Sequence, residues 1–168
     1  MADESLFQVN LVTPERILFN GMASEVILRT GEGDVTFLAD HTPLVGTVMP
    51  GVVRVVRPGG DDIRIAVHGG FTQVEQNVAF DGDGEAVTGT RVTLLIGVAE
   101  LAEEIDVDRA RVALVAAEAR VGELGGTVNR TPAEGEMVDP ELVEAEAAVR
   151  RAQVRLEAVD ASSAATPA

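Results

Sequence analysis

The stretch from Thr30 to Val56, TGEGDVTFLADHTPLVGTVMPGVVRVV, constrains this chain most, because it sets two glycine turns, an Asp-His-Thr-Pro corner and a Pro-Gly corner between short β-branched runs. Gly31 and Gly33 can take positive φ, and Pro43 and Pro50 hold φ near a turn value. Gly51 follows Pro50 as the second residue of a Pro-Gly turn. Three strands folded sharply over one another are the expected result.

The same pattern extends to both sides. Phe7, Val9 and Leu11 alternate with Gln8 and Asn10, the period-two signature of a half-buried strand, and Pro14 ends the run. Short runs follow at Arg16 to Phe19, Glu25 to Arg29, Val35 to Leu38, Val52 to Val56, Ile63 to His68, Phe71 to Val74 and Arg91 to Val98. About ten short strands at close, turn-punctuated spacing predict a β-sandwich over residues 1–98. Gly69 and Gly70 suit a tight turn or bulge at which two strands change partners.

From Ala99 the β-branched alternation gives way to Ala, Glu, Arg and Leu, all strong helix formers. Val107, Ala110, Leu114, Ala117, Val121 and Leu124 form one apolar seam at heptad spacing, and Leu142, Ala145, Val149, Ala152, Leu156 and Val159 form a second. Asp106 can cap the first helix, and Asp139 followed by Pro140 is a start signal for the second. Gly125 and Gly126 stop the first helix, and Thr127 to Val138 reads as a polar loop. The prediction is an antiparallel α-helical hairpin over residues 99–160 with a disordered tail at 161–168. Its alanine-rich seams let the backbones approach but bury little area, so the hairpin is expected to be only marginally stable by itself.

Composition removes whole classes of function. The net charge is −15 and lysine is absent, so the basic patch that nucleic acid or an anionic membrane would require is missing. There is no cysteine, which excludes disulfides, zinc-thiolate sites and thiol nucleophiles. No leader-like N-terminus and no apolar run of membrane-spanning length is found, so a cytosolic chain is expected, held at any membrane by a partner. No Gly-Lys phosphate loop, nucleophile elbow or paired-histidine helix occurs, and two histidines give little material for a catalytic or metal centre, so neither is expected.

Three clusters merit attention. His41, after Asp40 in a turn, is read as an interface contact or a turn side chain bonded to nearby backbone; His68, on a strand beside Gly69, is read as packed or surface. Asp81, Asp83 and Glu85 faintly resemble a calcium loop, but Ala86 and Val92 stand where the loop needs glycine and glutamate, so a solvated hairpin tip fits better. Ile105, Asp106, Arg109 and Ala110, with Arg151 and Arg155 four apart on the second helix, could form a phosphate clamp; the bland alternative pairs those arginines with Glu144, Glu146 or Glu157.

Four segments, TGEGDVTFLADHTPL, VMPGVVRVV, AVHGGFTQV and AELAEEIDVDRARVAL, occur in the order and register of one family. In them the chain resembles the epsilon subunit of the bacterial F-type ATP synthase, well from Phe7 to Ala119 and more loosely over the second helix. The resemblance implies a non-catalytic central-stalk subunit that turns with the gamma subunit and the c-ring as protons pass, peripheral on the cytoplasmic face of the bacterial cell membrane. It implies that a loop holding Glu32, Asp34 and His41 meets the c-ring. It also implies that the hairpin can extend toward the alpha and beta subunits and block ATP hydrolysis, and that Ile105, Asp106, Arg109, Ala110, Arg151 and Arg155 resemble a regulatory ATP site. No cofactor is required and no metal site is implied.

The chain departs from the family at particular places. Thr36 and Ala39 replace a usual Gly and Pro, about a dozen additional residues around Gln76 to Arg91 lengthen one hairpin, and Thr127 to Val138 lengthens the helix connection. A rival from another class is a free-standing β-sandwich binding module whose helical hairpin dimerises. Exposed apolar residues on a sandwich face would favour the stalk reading, and a self-complementary helix seam would favour the rival.

Overall fold

The computed structural model describes residues 5–82, 85–125 and 139–163. The chain divides into two compact units, Met1–Ala102 and Glu103–Ala168.

The first unit contains ten strands: β1 (Phe7–Val12), β2 (Ile17–Ala23), β3 (Glu25–Thr30), β4 (Gly33–Phe37), β5 (Leu44–Val48), β6 (Gly51–Val56), β7 (Asp62–Val67), β8 (Gly70–Gly82), β9 (Glu85–Ile96) and β10 (Ala99–Leu101). They form one continuous sheet in the order β10-β7-β6-β3-β5-β8-β9-β1-β2, with β4 branching from β3. The join between its halves is a single pair, Thr30 with Val48. So thin a join lets the sheet fold over, and the halves close as the sandwich that the residue pattern predicts. Phe7, Val9, Leu11, Val92 and Leu94 from one half meet Val26, Leu28, Val53, Val55 and Ile65 from the other in one buried core. The alternation works because successive side chains of a strand point to opposite faces.

Thr30 to Val56 supplies β4, β5 and β6, the three strands expected. Gly33 takes φ 125°, but Gly31 does not adopt positive φ. Instead Thr30 Oγ1 donates to the Gly33 carbonyl at 2.9 Å and accepts from the Glu32 amide at 3.3 Å, so a side chain shapes the Gly31–Glu32 turn. Gly51 begins β6 outright, which leaves Met49–Pro50 as the whole link from β5. At the glycine pair the chain does change partners: β7 pairs with β6 and β10, and β8 with β5 and β9. Gly69 has φ 105°, while a Cβ on Gly70 would stand 2.3 Å from the Leu95 carbonyl oxygen, so the first glycine serves conformation and the second close approach.

Two boundaries differ from the expected ones. Strands β8 and β9 run far beyond Phe71–Val74 and Arg91–Val98, because the polar and glycine-rich stretch between them pairs with itself as far as Gly82 with Glu85. Residues 83 and 84 and the side chains of the DGDGE tip lie outside the described residues. Ala99–Leu101, assigned from composition to the helical part, forms β10 and pairs with Val67–Ile65. The open edge of β7 offers backbone partners there, and that outweighs a propensity difference of a few tenths of a kcal/mol per residue. A 3-10 turn, Ala102–Glu104, follows.

The second unit is an α-helical hairpin of α1 (Val107–Glu123) and α2 (Pro140–Ser163). Asp106 accepts from the Arg109 amide at 3.0 Å and Asp139 from the Glu141 amide at 2.9 Å, so both expected caps form. Leu124 and Gly125, at φ 71°, end α1. Ala117 and Val121 cluster with Ala145 and Val149, with Leu114, Leu124 and Leu142 around them. Arg120 near the end of α1 pairs with Glu141 at the start of α2 at 2.5 Å, as an antiparallel hairpin brings them together. The helix α2 continues to Ser163, past the expected start of the tail at 161; residues 164–168 and the loop 127–138 lie outside the described residues. No helix among the described residues is long and apolar enough to cross a membrane.

Candidate functional site

Glu32, Asp34 and His41 are strung along β4 rather than gathered in one loop. Glu32 sits in the turn before the strand, Asp34 is its second residue, and His41 lies past its far end. Five residues of strand separate the two ends by about 14 Å. Among the described residues β4 pairs only with β3, so its other edge is open. Asp34 stands directly opposite Arg29 and receives its guanidinium in a forked pair, Nε to Oδ1 at 2.8 Å and Nη2 to Oδ2 at 3.3 Å. That hydrogen bond holds the Asp34 carboxyl below its ordinary range. Nothing in the sequence marks Arg29 as the partner, because the pairing exists only once the β3–β4 register is set.

The turn holding His41 is well ordered by its contacts. The His41 amide donates to the Leu38 carbonyl at 3.1 Å, and its Nδ1 donates to the Thr42 carbonyl at 2.8 Å. Its ring meets Phe37 edge-on, centroids 4.8 Å apart. Beside it lies a shallow cleft of about 510 Å³ lined by Ser5, Ser24, Thr36, Leu38, Asp40 and His41. Leu38 is half in water at its rim.

A second surface was not located by sequence reasoning. Register places Thr47, Phe71, Leu95, Val12 and Ile17 side by side across β5, β8, β9, β1 and β2. Phe71 is 59% exposed, Leu95 52% and Ile17 62%. Adjacent strands lie about 4.8 Å apart, so the row is roughly 19 Å wide. Its sequence signal was faint, since Phe71, Leu95 and Ile17 each also fit a core-facing position in a short run.

In the second unit Ile105 and Ala110 are buried and Arg109 is exposed. Asp106 is occupied as the α1 cap. Arg151 pairs with Glu144 at 2.7 Å, as the bland alternative expects. The antiparallel register, carried one heptad outward from Ala117 and Ala145, brings Ala110 level with Ala152, both buried. The six residues therefore belong to one end of the hairpin, with the first turn of α1 beside the Arg151–Arg155 turn of α2.

Residues 6–79 match the family model described as ATP synthase, Delta/Epsilon chain, beta-sandwich domain, and residues 103–160 match that of the long alpha-helix domain of the same chain. An ATP synthase epsilon chain from Symbiobacterium thermophilum is 38% identical over 162 residues, which cover 96% of each chain. The chain belongs to the ATP synthase epsilon chain family. The epsilon chain from Thermobifida fusca is 44% identical over 121 residues, 70% of this chain and 79% of the relative. A chain of the Euglena gracilis mitochondrial ATP synthase, in a structure of OSCP, F1 and c-ring, shares the fold: TM-score 0.64 and 22% identity, over 94% of this chain and 81% of that one. As an epsilon chain, this protein is a subunit of the ATP synthase complex. The two family models leave residues 80–102 between them, and much of the lengthened β8–β9 hairpin falls in that interval.

Proposed function

We propose that the chain is the non-catalytic rotor subunit of a bacterial proton-translocating ATP synthase, seated on the cytoplasmic face of the membrane between the gamma subunit and the c-ring. The alpha and beta subunits do the chemistry. The observation that carries this reading is the row of Phe71, Leu95 and Ile17, large apolar side chains standing in water together on one sheet face. A contiguous patch of that kind marks a protein interface, and we assign it to gamma. The open edge and flanking turns of β4, with Glu32, Asp34 and His41, are assigned to the c-ring. A subunit between two rotating partners must pass torque without shearing, and two half-sheets closed over one packed core deform little.

The hairpin is assigned to the restraint of ATP hydrolysis. Four of its twelve seam residues are alanine, so parting the two helices costs less than it would for a seam of leucines. Regulatory ATP at Ile105, Asp106, Arg109, Ala110, Arg151 and Arg155 would have to take Arg151 from Glu144. Glu144→Gln is accordingly expected to tighten ATP binding severalfold in a calorimetric titration of the full chain; no heat with either protein removes ATP from the account. The rival, a dimerising binding module, needs a free helix seam, whereas Ala117 and Val121 already pack on Ala145 and Val149 of the same chain.

The deciding experiment is a pull-down of the tagged full chain from detergent-solubilised membranes of its host. Recovery of gamma, c, alpha and beta subunits supports the assignment. Recovery of the chain alone, or as a dimer, refutes it in favour of the rival.

A further inference from the structure

The lengthened hairpin contains a bulge whose position is informative. Glu75 pairs with Arg91 and Val78 with Gly89, so Gln76 and Asn77 together stand opposite Thr90 alone. Asn77 absorbs the irregularity at φ 57°, a left-handed conformation that asparagine tolerates better than most residues. Both sides of this bulge reach one target. Gln76 Nε2 donates to the His41 carbonyl at 3.1 Å and the Asp40 carbonyl at 3.4 Å, and the buried Thr90 hydroxyl donates to the Ala39 carbonyl. Three successive carbonyls of the Leu38–His41 turn are thus held from strands 35 to 51 residues away. Arg91, next to Thr90, braces the device by donating to Gln8 Oε1 on β1 at 2.7 Å and to the Ala79 carbonyl at 3.0 Å.

We infer that Gln76 and Thr90, brought together by the bulge at Asn77, are positioning residues that lock the Leu38–His41 turn in the shape it presents to its partner. The physical argument is one of entropy. A four-residue surface turn samples several shapes, and each one not competent for docking lowers the apparent affinity by its share of the population. Donors fixed on a hydrogen-bonded hairpin remove those alternatives before the partner arrives. A turn so held presents Leu38 and His41 at fixed positions beside the cleft. The functional part of this inference rests on the assignment of the β4 region to the c-ring.

The test uses the full chain with Thr90→Val, Thr90→Ser and Gln76→Glu. Valine keeps the shape of threonine and deletes the donor, serine keeps the donor, and glutamate turns an acceptor toward two carbonyl oxygens. The first readout is hydrogen exchange at the His41 amide, which bonds to Leu38. Thr90→Val and Gln76→Glu are each expected to speed it about two- to tenfold, with Val9 and Leu11 on β1 unchanged and Thr90→Ser close to the parent. Gln76 is exposed, so its variant keeps the test valid should Thr90→Val fail to fold. The second readout is dissociation from ATP synthase membranes stripped of this subunit and reconstituted with each variant. Faster release of the same two variants, rescued by Thr90→Ser, supports the inference. Unchanged His41 exchange in both overturns it. Faster exchange with unchanged release upholds the clamp and refutes the assignment of this turn to the c-ring.

Discussion

Replacing Phe71 with serine probes the proposed interface at the residue with most to lose. A phenylalanine side chain presents about 200 Å² of apolar surface. With Phe71 59% exposed, roughly 120 Å² stands in water in the isolated chain. Covering that area contributes up to about 3 kcal/mol at ~25 cal/mol per Å². This corresponds to a loss of about 100-fold in Kd when the ring is removed, less if the partner leaves part of it wet. The isolated protein should hardly notice, because an exposed side chain supports little of the core, and its stability should stay within about 0.5 kcal/mol. The assay pairs a thermal melt of the variant with its equilibrium binding to ATP synthase stripped of the subunit. A Kd within twofold of the parent would refute the interface, and a large fall in the melting temperature would refute the claim that Phe71 faces solvent.

Other outcomes follow from single contacts. Thr72 is 1% exposed and its hydroxyl finds no partner among the described residues, so Thr72→Val should stabilise the fold by about 1–2 kcal/mol, read as a rise of several degrees in Tm. Gly70→Ala should destabilise by at least about 2 kcal/mol in a denaturant melt, because its Cβ would meet the Leu95 carbonyl oxygen at 2.3 Å and backbone cannot step aside. The Asp34 carboxyl should titrate below the usual 3.8 and return upward in Arg29→Gln, followed by NMR of the carboxyl carbon. The sign follows from the lowered value: the Arg29 pair contributes fully above the unfolded carboxylate pKa and is lost as the pH falls through the folded one. A midpoint unaffected by Arg29→Gln would refute that cause.

Local chemistry was legible and long-range register was not. The caps at Asp106 and Asp139 were readable because a capping side chain bonds an amide two or three residues away. The helix seams were readable because heptad spacing puts Ala117, Val121, Ala145 and Val149 on the faces that meet. Gly31 shows where such reading overreaches: it is free to take positive φ, but Thr30 closes the turn without requiring it. Ala99–Leu101 shows the opposite failure, helix-forming residues drawn into a strand by the open edge of β7. Glu32, Asp34 and His41 can be singled out along the chain, but that Asp34 lies on an open-edged strand with Glu32 before it and His41 past its far end emerges only from the sheet order.

What the sequence determined by itself is the division of the chain: short alternating strands, glycine and proline corners, then two capped amphipathic helices. Each rests on interactions among residues a few positions apart, whose energies hardly depend on the rest of the molecule. Tertiary structure alone decided that Phe71 and Leu95 stand side by side in water and that Gln76 and Thr90 close on the same turn. The physical reason is period-two geometry. A shift of one residue in pairing sends every side chain of a strand to the opposite face, so these neighbours are set by the packing of the whole sheet.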